Sequence, residues 1–331
     1  MPEDVVQLQA ALAARSVVKN WSTGAELVEL LRTAHEAGWL SRLRNGTTAV
    51  ALAASTGIPV ESAADVLSVL GSAEVVEADG GSWHLTPSFA ALVDGVAGVD
   101  LSATLASTDL TRAEIARAAE PANGLDGAQA LTVARDSGVR VGPGAQALYG
   151  LIYQALPEYR GLLEQGGPVL DVGSGIGGTL LTTVSLFDQL HGVGVEVVAE
   201  IATELRSRTQ AAGLADRVEI RAVDARELND EGVFAASFWA QPFFAGDARP
   251  GTLAAIHRAL RPGGLLLMQE LFPPLTEQAG AREHLDQLFH RRAGATFGRS
   301  AEELAAEAEK AGFHDPEITT TALGRVLTVR R

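Results

Sequence analysis

The stretch Pro168-Val169-Leu170-Asp171-Val172-Gly173-Ser174-Gly175-Ile176-Gly177-Gly178 decides the fold. An apolar run of strand length ends next to an acid, breaks into glycines and gives way to a helical pattern over 179–190, which reads as strand, Gly-rich turn, helix. Such glycines admit positive φ and let a ligand approach bare backbone, an arrangement that by itself suits dinucleotides and adenosyl cofactors alike.

Downstream the unit repeats. Gly194-Val195-Glu196-Val197-Val198 is a second strand, and Glu196 lies 25 residues beyond Asp171, where an acid can accept both hydroxyls of a ribose. A third strand over 218–222 leads to Val223-Asp224-Ala225, whose carboxylate can accept from an adenine amino group. A fourth, 234–239, ends at Ala240-Gln241-Pro242-Phe243-Phe244, and helix 252–260 runs through Arg261-Pro262-Gly263-Gly264 into strand 265–270. From Gln146 onward this alternation predicts a mostly parallel α/β sheet that binds ligands at the carboxyl ends of its strands. A hairpin of 318–322 with 325–329 closes it.

Upstream the pattern is different. Leu27, Leu30, Leu31 and Ala34 mark an amphipathic helix over 26–37, stopped by Gly38; helix 49–55, the turn Thr56-Gly57-Ile58-Pro59 and helix 61–70 follow. Two short strands around Asp79-Gly80-Gly81 complete a winged helix-turn-helix. Charge argues against DNA: residues 1–95 hold five basic and eleven acidic side chains, and the would-be reading helix carries Glu61 and Asp65 with no base, where groove readers present Arg, Lys, Asn or Gln. The expected organisation is a winged-helix dimerisation and lid domain over 1–95, a helical connector over 96–145 broken at 121–124 and 142–144, and a cofactor-binding catalytic domain over 146–331.

Composition narrows the chemistry. The 331 residues carry 26 basic and 41 acidic side chains for a net charge of −15, which disfavours partners held through phosphates, so no nucleic acid is expected. With no cysteine there is no disulfide, thiolate nucleophile or zinc ribbon, and with Lys19 and Lys310 the only lysines, Schiff-base and P-loop chemistry have almost no material. The acidic start Met1-Pro2-Glu3-Asp4 does not read as a secretory signal. No apolar run approaches the roughly 20 residues a bilayer needs. The expectation is a cytoplasmic protein with no membrane partner.

Taken together, V-L-D-V-G-S-G-I-G-G, G-V-E, D-A and L-R-P-G-G-L-L-L resemble class I S-adenosylmethionine-dependent methyltransferases. With the winged helix in front, and Thr296-Phe297-Gly298-Arg299-Ser300 and Ala311-Gly312-Phe313 behind, the chain resembles the two-domain small-molecule O-methyltransferases of plant and bacterial natural-product metabolism. That resemblance implies a Rossmann-like sheet, mostly parallel with an antiparallel C-terminal hairpin, after a mainly α winged-helix domain. It implies a homodimer in which the N-terminal domain helps close the partner's pocket, S-adenosyl-L-methionine as cofactor, and a small-molecule substrate. Asp171, Gly173, Ser174 and Gly175 would frame the methionine end of the cofactor, Glu196 and Val197 the ribose, and Asp224 and Ala225 the adenine, with Trp239 beside them.

One position departs from the family. Its members usually carry a His-Asp pair after the fourth strand, the His serving as base for a phenol; here Gln241-Pro242 stands there, and a neutral amide accepts no proton at pH 7. A general base contributes about 10²- to 10⁴-fold, whereas holding donor and acceptor in line is worth up to roughly 7–11 kcal/mol, so transfer by positioning stays open. Glu270 at the end of the fifth strand, and Asp286 four residues before His290 on a helical stretch, are the other candidate catalytic groups beside Gln241. Without the His-Asp pair no metal is expected. Tyr149, Tyr153, Phe243, Phe244 and Phe289 are candidates for an apolar pocket fitted to a flat aromatic or hydrophobic metabolite. The alternatives are a related enzyme that uses the bound cofactor for a rearrangement or hydroxylation and, from another class, a ligand-responsive winged-helix regulator.

Overall fold

The computed structural model describes residues 3–331; Met1 and Pro2, the first half of the acidic start read above, lie outside the described residues. The chain divides into two compact units, one reaching Val96 and including Asp100–Leu105, the other comprising Ala97–Val99 and Ala106–Arg331. Within the stretch expected as a connector, Asp100–Leu105 therefore belongs to the first unit and the remainder from Ala106 to the second.

The first unit holds α1 (Glu3–Glu36), α2 (Trp39–Arg44), α3 (Ala49–Thr56), α4 (Val60–Ser72), β1 (Val76–Asp79), β2 (Ser82–Leu85) and α5 (Pro87–Val93). Thr48 caps α3 by accepting from the Ala51 N–H at 3.2 Å, and Gly57 ends it at φ 75°. Leu40, Leu43, Leu52, Leu67 and Leu70 form the core, and β1 pairs antiparallel with β2 as the wing. Glu61 and Asp65 stand exposed on α4. The first helix is far longer than the predicted 26–37. Its early apolar residues, among them Leu8, Leu12 and Trp21, remain exposed, so they make no amphipathic pattern against this unit's own core.

The second unit continues with α6 (Leu101–Ala116, shared with the first), α7 (Gly127–Ser137), α8 (Pro143–Gln154), α9 (Pro157–Glu164), β3 (Val169–Val172), α10 (Gly178–Leu186), β4 (Gly192–Val195), α11 (Ala199–Ala211), β5 (Val218–Arg221), β6 (Phe234–Trp239), α12 (Arg249–Ala259), β7 (Leu260–Gln269), α13 (Ala281–Arg292), α14 (Ala301–Lys310), β8 (His314–Thr321) and β9 (Gly324–Arg330). Seven strands run in the order β5-β4-β3-β6-β7-β9-β8, with β5, β4, β3, β6 and β7 paired parallel and β9 antiparallel to both β7 and β8. Side chains alternate across β3: Leu170 and Val172 enter a core with Val195, Leu253 and Leu266, whereas Val169 packs with Tyr153, Leu180 and Leu267. The chain steps from β3 outward to β4 and β5 on one side and then crosses back to β6 on the other side of β3, which places the topological switch, and the crevice it opens, at the carboxyl end of β3. Among the described residues no single helix is long and apolar enough to cross a membrane.

Candidate active site

A cavity of about 590 Å³ opens at that switch point. One half is built from strand ends. Asp171 in β3 is 2% exposed, and neither carboxylate oxygen has a hydrogen-bond partner among the described residues. Burial, with the charge of Glu196 adding to it, pushes its carboxyl up to about 7. Ser174 Oγ donates to the Asp171 main-chain carbonyl at 2.8 Å rather than to that carboxylate. The chain then turns at Gly173, φ 74°, where a Cβ would lie 2.7 Å from the Phe244 ring. The N–H groups of Gly173 and Ser174 both donate to the Val195 carbonyl, at 2.9 and 3.1 Å, tying the loop to β4.

Glu196, just beyond β4, is buried and accepts from the N–H of Gly175 at 3.1 Å and of Val198 at 2.9 Å. Burial raises its carboxyl as well. Those two bonds use one lone pair on each oxygen and leave the others for hydroxyl donors. Asp224, after β5, accepts from the Arg226 N–H at 2.9 Å and from its guanidinium at 2.6 Å, and this pairing holds its carboxyl low. Most of its accepting capacity is therefore spent on its own turn. Val197 and Ala225 line the cavity beside these acids. Trp239, fully buried at the end of β6, closes the floor with its ring edge against Phe244 at 5.5 Å and the Arg249 guanidinium 4.7 Å from its own centre.

The other half is apolar and comes from distant parts of the chain. Tyr149 of α8 lines it and shares a 2.8 Å hydrogen bond with Thr179, while burial raises its phenol. Phe243 and Phe244 enter from the short turn after β6, and Phe289 and His290 from the end of α13. Ala130, Val133 and Ala134 of α7 complete the wall; these were not anticipated, although Asp126 and Gln129 form a capping box whose sequence marks the start of this helix. The imidazole of His290 sits among Phe272 at 4.2 Å and Phe289 and Phe297 at 5.5 Å, with Nδ1 2.7 Å from the main-chain oxygen of Asp286.

Four expected site residues stand elsewhere. Gln241 is 2% exposed and turned away from the cavity: its amide nitrogen donates to the Gln269 carbonyl at 3.1 Å, and its oxygen accepts from Arg249 at 2.9 Å. Glu270 does not line the cavity and is held 2.9 Å from Arg325. The Asp286 carboxylate faces Arg282 at 3.1 Å, not the imidazole of His290. Tyr153 is core, stacked on Tyr159 at 6.0 Å, its hydroxyl 2.5 Å from that of Thr183.

Residues 169–264 match the family model described as a methyltransferase domain. That match spans β3 to the start of β7 and so takes in the strand ends around this cavity: the chain carries a methyltransferase domain over these residues. The fold is that of the mitomycin 7-O-methyltransferase, at a TM-score of 0.68 and 21% identity over 98% of this chain and 99% of that one. It is also that of the pyocyanin biosynthetic protein PhzM (TM-score 0.66, 18% identity, 97% of this chain and 99% of that). Human N-acetylserotonin methyltransferase, solved in complex with its S-adenosylmethionine, shares it at a TM-score of 0.68 and 14% identity, over 96% and 97% of the two chains.

The residues fit that cofactor. Asp171 offers a buried carboxylate whose two oxygens lack partners, and removing such a group from water is costly until a donor or cation meets it. The cofactor's ammonium and sulfonium are such cations.

Proposed function

We propose that this chain transfers a methyl group from S-adenosylmethionine to a small, flat, hydrophobic acceptor of the natural-product type. The observation that carries the reading is the division of one cavity: two buried carboxylates, Asp171 with neither oxygen partnered, at the ends of β3 and β4, facing a compartment of Tyr149, Phe243, Phe244 and Phe289. Asp171 would hold the cofactor's ammonium and Glu196 its ribose hydroxyls, and Trp239 would flank it. When bound, the cofactor supplies an electrophilic methyl on a sulfonium, so the protein needs no nucleophile of its own.

What the chain's residues contribute is first of all alignment. The apolar wall excludes water and holds a planar acceptor in one plane, and alignment of two reactants is worth up to roughly 7–11 kcal/mol. Gln241 contributes only indirectly, through the Arg249 that it anchors under Trp239.

The same reading takes the protein to be a cytoplasmic homodimer. Exposed Leu8, Leu12 and Trp21 on α1 support a second copy as the partner, and exposed Glu61 and Asp65 on α4 speak for assembly rather than DNA binding. Incubation with methyl-labelled cofactor and a panel of hydrophobic aromatics tests the reaction. Product and S-adenosylhomocysteine should appear in equal amounts; a transformed acceptor without homocysteine derivative would assign the cavity to another reaction.

A further inference from the structure

We infer that His290 is the general base and that the acceptor presents it with a neutral aromatic hydroxyl; this deepens the methyl-transfer reading and rests on it. Among the described residues lining the cavity, the titratable groups are Asp171, Glu196, Asp224, Tyr149 and His290. The three acids belong to the strand ends, and Tyr149 is bound to Thr179 and made a weaker acid by burial. His290 alone of the five sits on α13, beside Phe289 of the acceptor compartment and with its ring against Phe272.

The geometry around its ring selects a protonation pattern. A carbonyl oxygen only accepts, so the 2.7 Å contact between Nδ1 and the Asp286 carbonyl puts the proton of the neutral ring on Nδ1. Nε2 then carries the lone pair, and it has no hydrogen-bond partner among the described residues. Phe272, Phe289 and Phe297 around the ring limit its rotation and can stabilise the imidazolium once it forms. The helix beneath is pinned too: Arg292, two residues on, is buried against Glu114 at 3.3 Å and donates to the Glu120 carbonyl at 3.0 Å.

The acceptor's chemistry follows from what the compartment offers. No lysine or arginine is among the described residues lining the cavity, so an acceptor carboxylate would be desolvated in a cavity that already holds Asp171 and Glu196, with no Lys or Arg side chain to meet it. An amine already has its nucleophilic pair and can shed its proton to water afterwards. A hydroxyl must lose its proton to react well, and that is the group an imidazole in an apolar wall serves. The acceptor's O–H bond breaks to Nε2 as its oxygen pair forms the new C–O bond to the methyl carbon, and the C–S bond breaks with its electrons going to sulfur. The positive charge thus passes from the sulfonium to His290.

The test uses the full chain, calorimetry with S-adenosylhomocysteine, and labelled methyl transfer to hydroxylated bicyclic and tricyclic aromatics, with 2-naphthol set against 3-hydroxy-2-naphthoic acid. Wild type should methylate the neutral members and reject the carboxylated one. His290→Gln, which keeps a donor toward the Asp286 carbonyl, should lower kcat about 100-fold or more, with affinity for S-adenosylhomocysteine changed less than about twofold. Imidazole added to His290→Ala should restore part of the rate. ¹⁵N NMR of the wild-type protein should show Nδ1 protonated and Nε2 bare. A His290→Gln kcat within about threefold of wild type, a preference for the acid, no methylation of any neutral hydroxyaromatic, or a proton on Nε2 in the neutral ring would overturn the inference. Failure of wild type to bind S-adenosylhomocysteine would instead overturn the methyl-transfer reading beneath it.

Discussion

The two halves of the cavity are built in opposite ways. The strand-end half comes from one continuous stretch, β3 to Glu196, in which the Gly-rich turn and the Glu196 carboxylate are set by backbone: Gly173 and Ser174 bonded to Val195, Gly175 and Val198 to the Glu196 carboxylate. The acceptor half is assembled from α7, α8, the turn after β6 and α13, and is held by tertiary pairs such as Arg292 with Glu114. A backbone-built half is hard to alter without losing the fold, whereas a half built from scattered side chains can be retuned for a new acceptor. On the proposed reading, that difference suits the first to a fixed cofactor and the second to a variable substrate.

The largest expected effect separates the halves by stability. Glu114→Ala leaves the Arg292 guanidinium, 7% exposed, without its carboxylate, and breaking a buried pair costs about 3–5 kcal/mol. Denaturant unfolding should register that loss. Among molecules still folded, affinity for the acceptor should weaken while affinity for S-adenosylhomocysteine holds; equal weakening of both would erase the distinction.

A smaller effect is expected at Gln241. Gln241→Ala removes one acceptor from Arg249, which keeps Glu307 and the Gln241 main-chain oxygen, and one donor from the Gln269 carbonyl, at about 0.5–1.5 kcal/mol for each hydrogen bond lost. Melting should shift accordingly with kcat changed less than about threefold; a collapse of kcat at unchanged stability would return the amide to the chemistry.

The subtlest effect lies in the pH dependence of the free protein. The Asp171 carboxyl rises from an ordinary 3.8 to about 7 through burial, so between those values the unfolded chain has lost a proton that the folded one keeps. Stability from this group is therefore highest below about pH 4, falls as pH rises toward about 7, and is flat above. Glu196, also raised by burial, acts in the same direction. Asp171→Asn should remove its part of the slope and make the cofactor-free protein more stable than wild type at pH 8, read by thermal melts at pH 5 and 8. An identical slope in both would mean Asp171 is not the buried acid described.

The comparison also accounts for what the sequence made legible. Asp171, Gly173, Gly175 and Glu196 could be found because strand, turn and next strand place them locally, and the mostly parallel character of the sheet followed from the same alternation. Gln241 was misplaced because its direction depends on a short helical turn, Gln241–Phe243, that aims the amide at Arg249. His290 was found with the wrong partner: spacing of four residues brings the Asp286 carbonyl as well as its carboxylate within reach, and Arg282 occupies the carboxylate. The early turns of α1 escaped because their apolar residues face no core of their own unit, and helical periodicity is readable only against a buried face.

The central claim is that the unpartnered Asp171 carboxylate is the cofactor's cation site. Calorimetric titration of S-adenosylmethionine into wild type and Asp171→Ala tests it most directly: binding should be readily measured in the first and lost in the second, with the variant still folded by circular dichroism. Unchanged affinity in the folded variant would contradict the account.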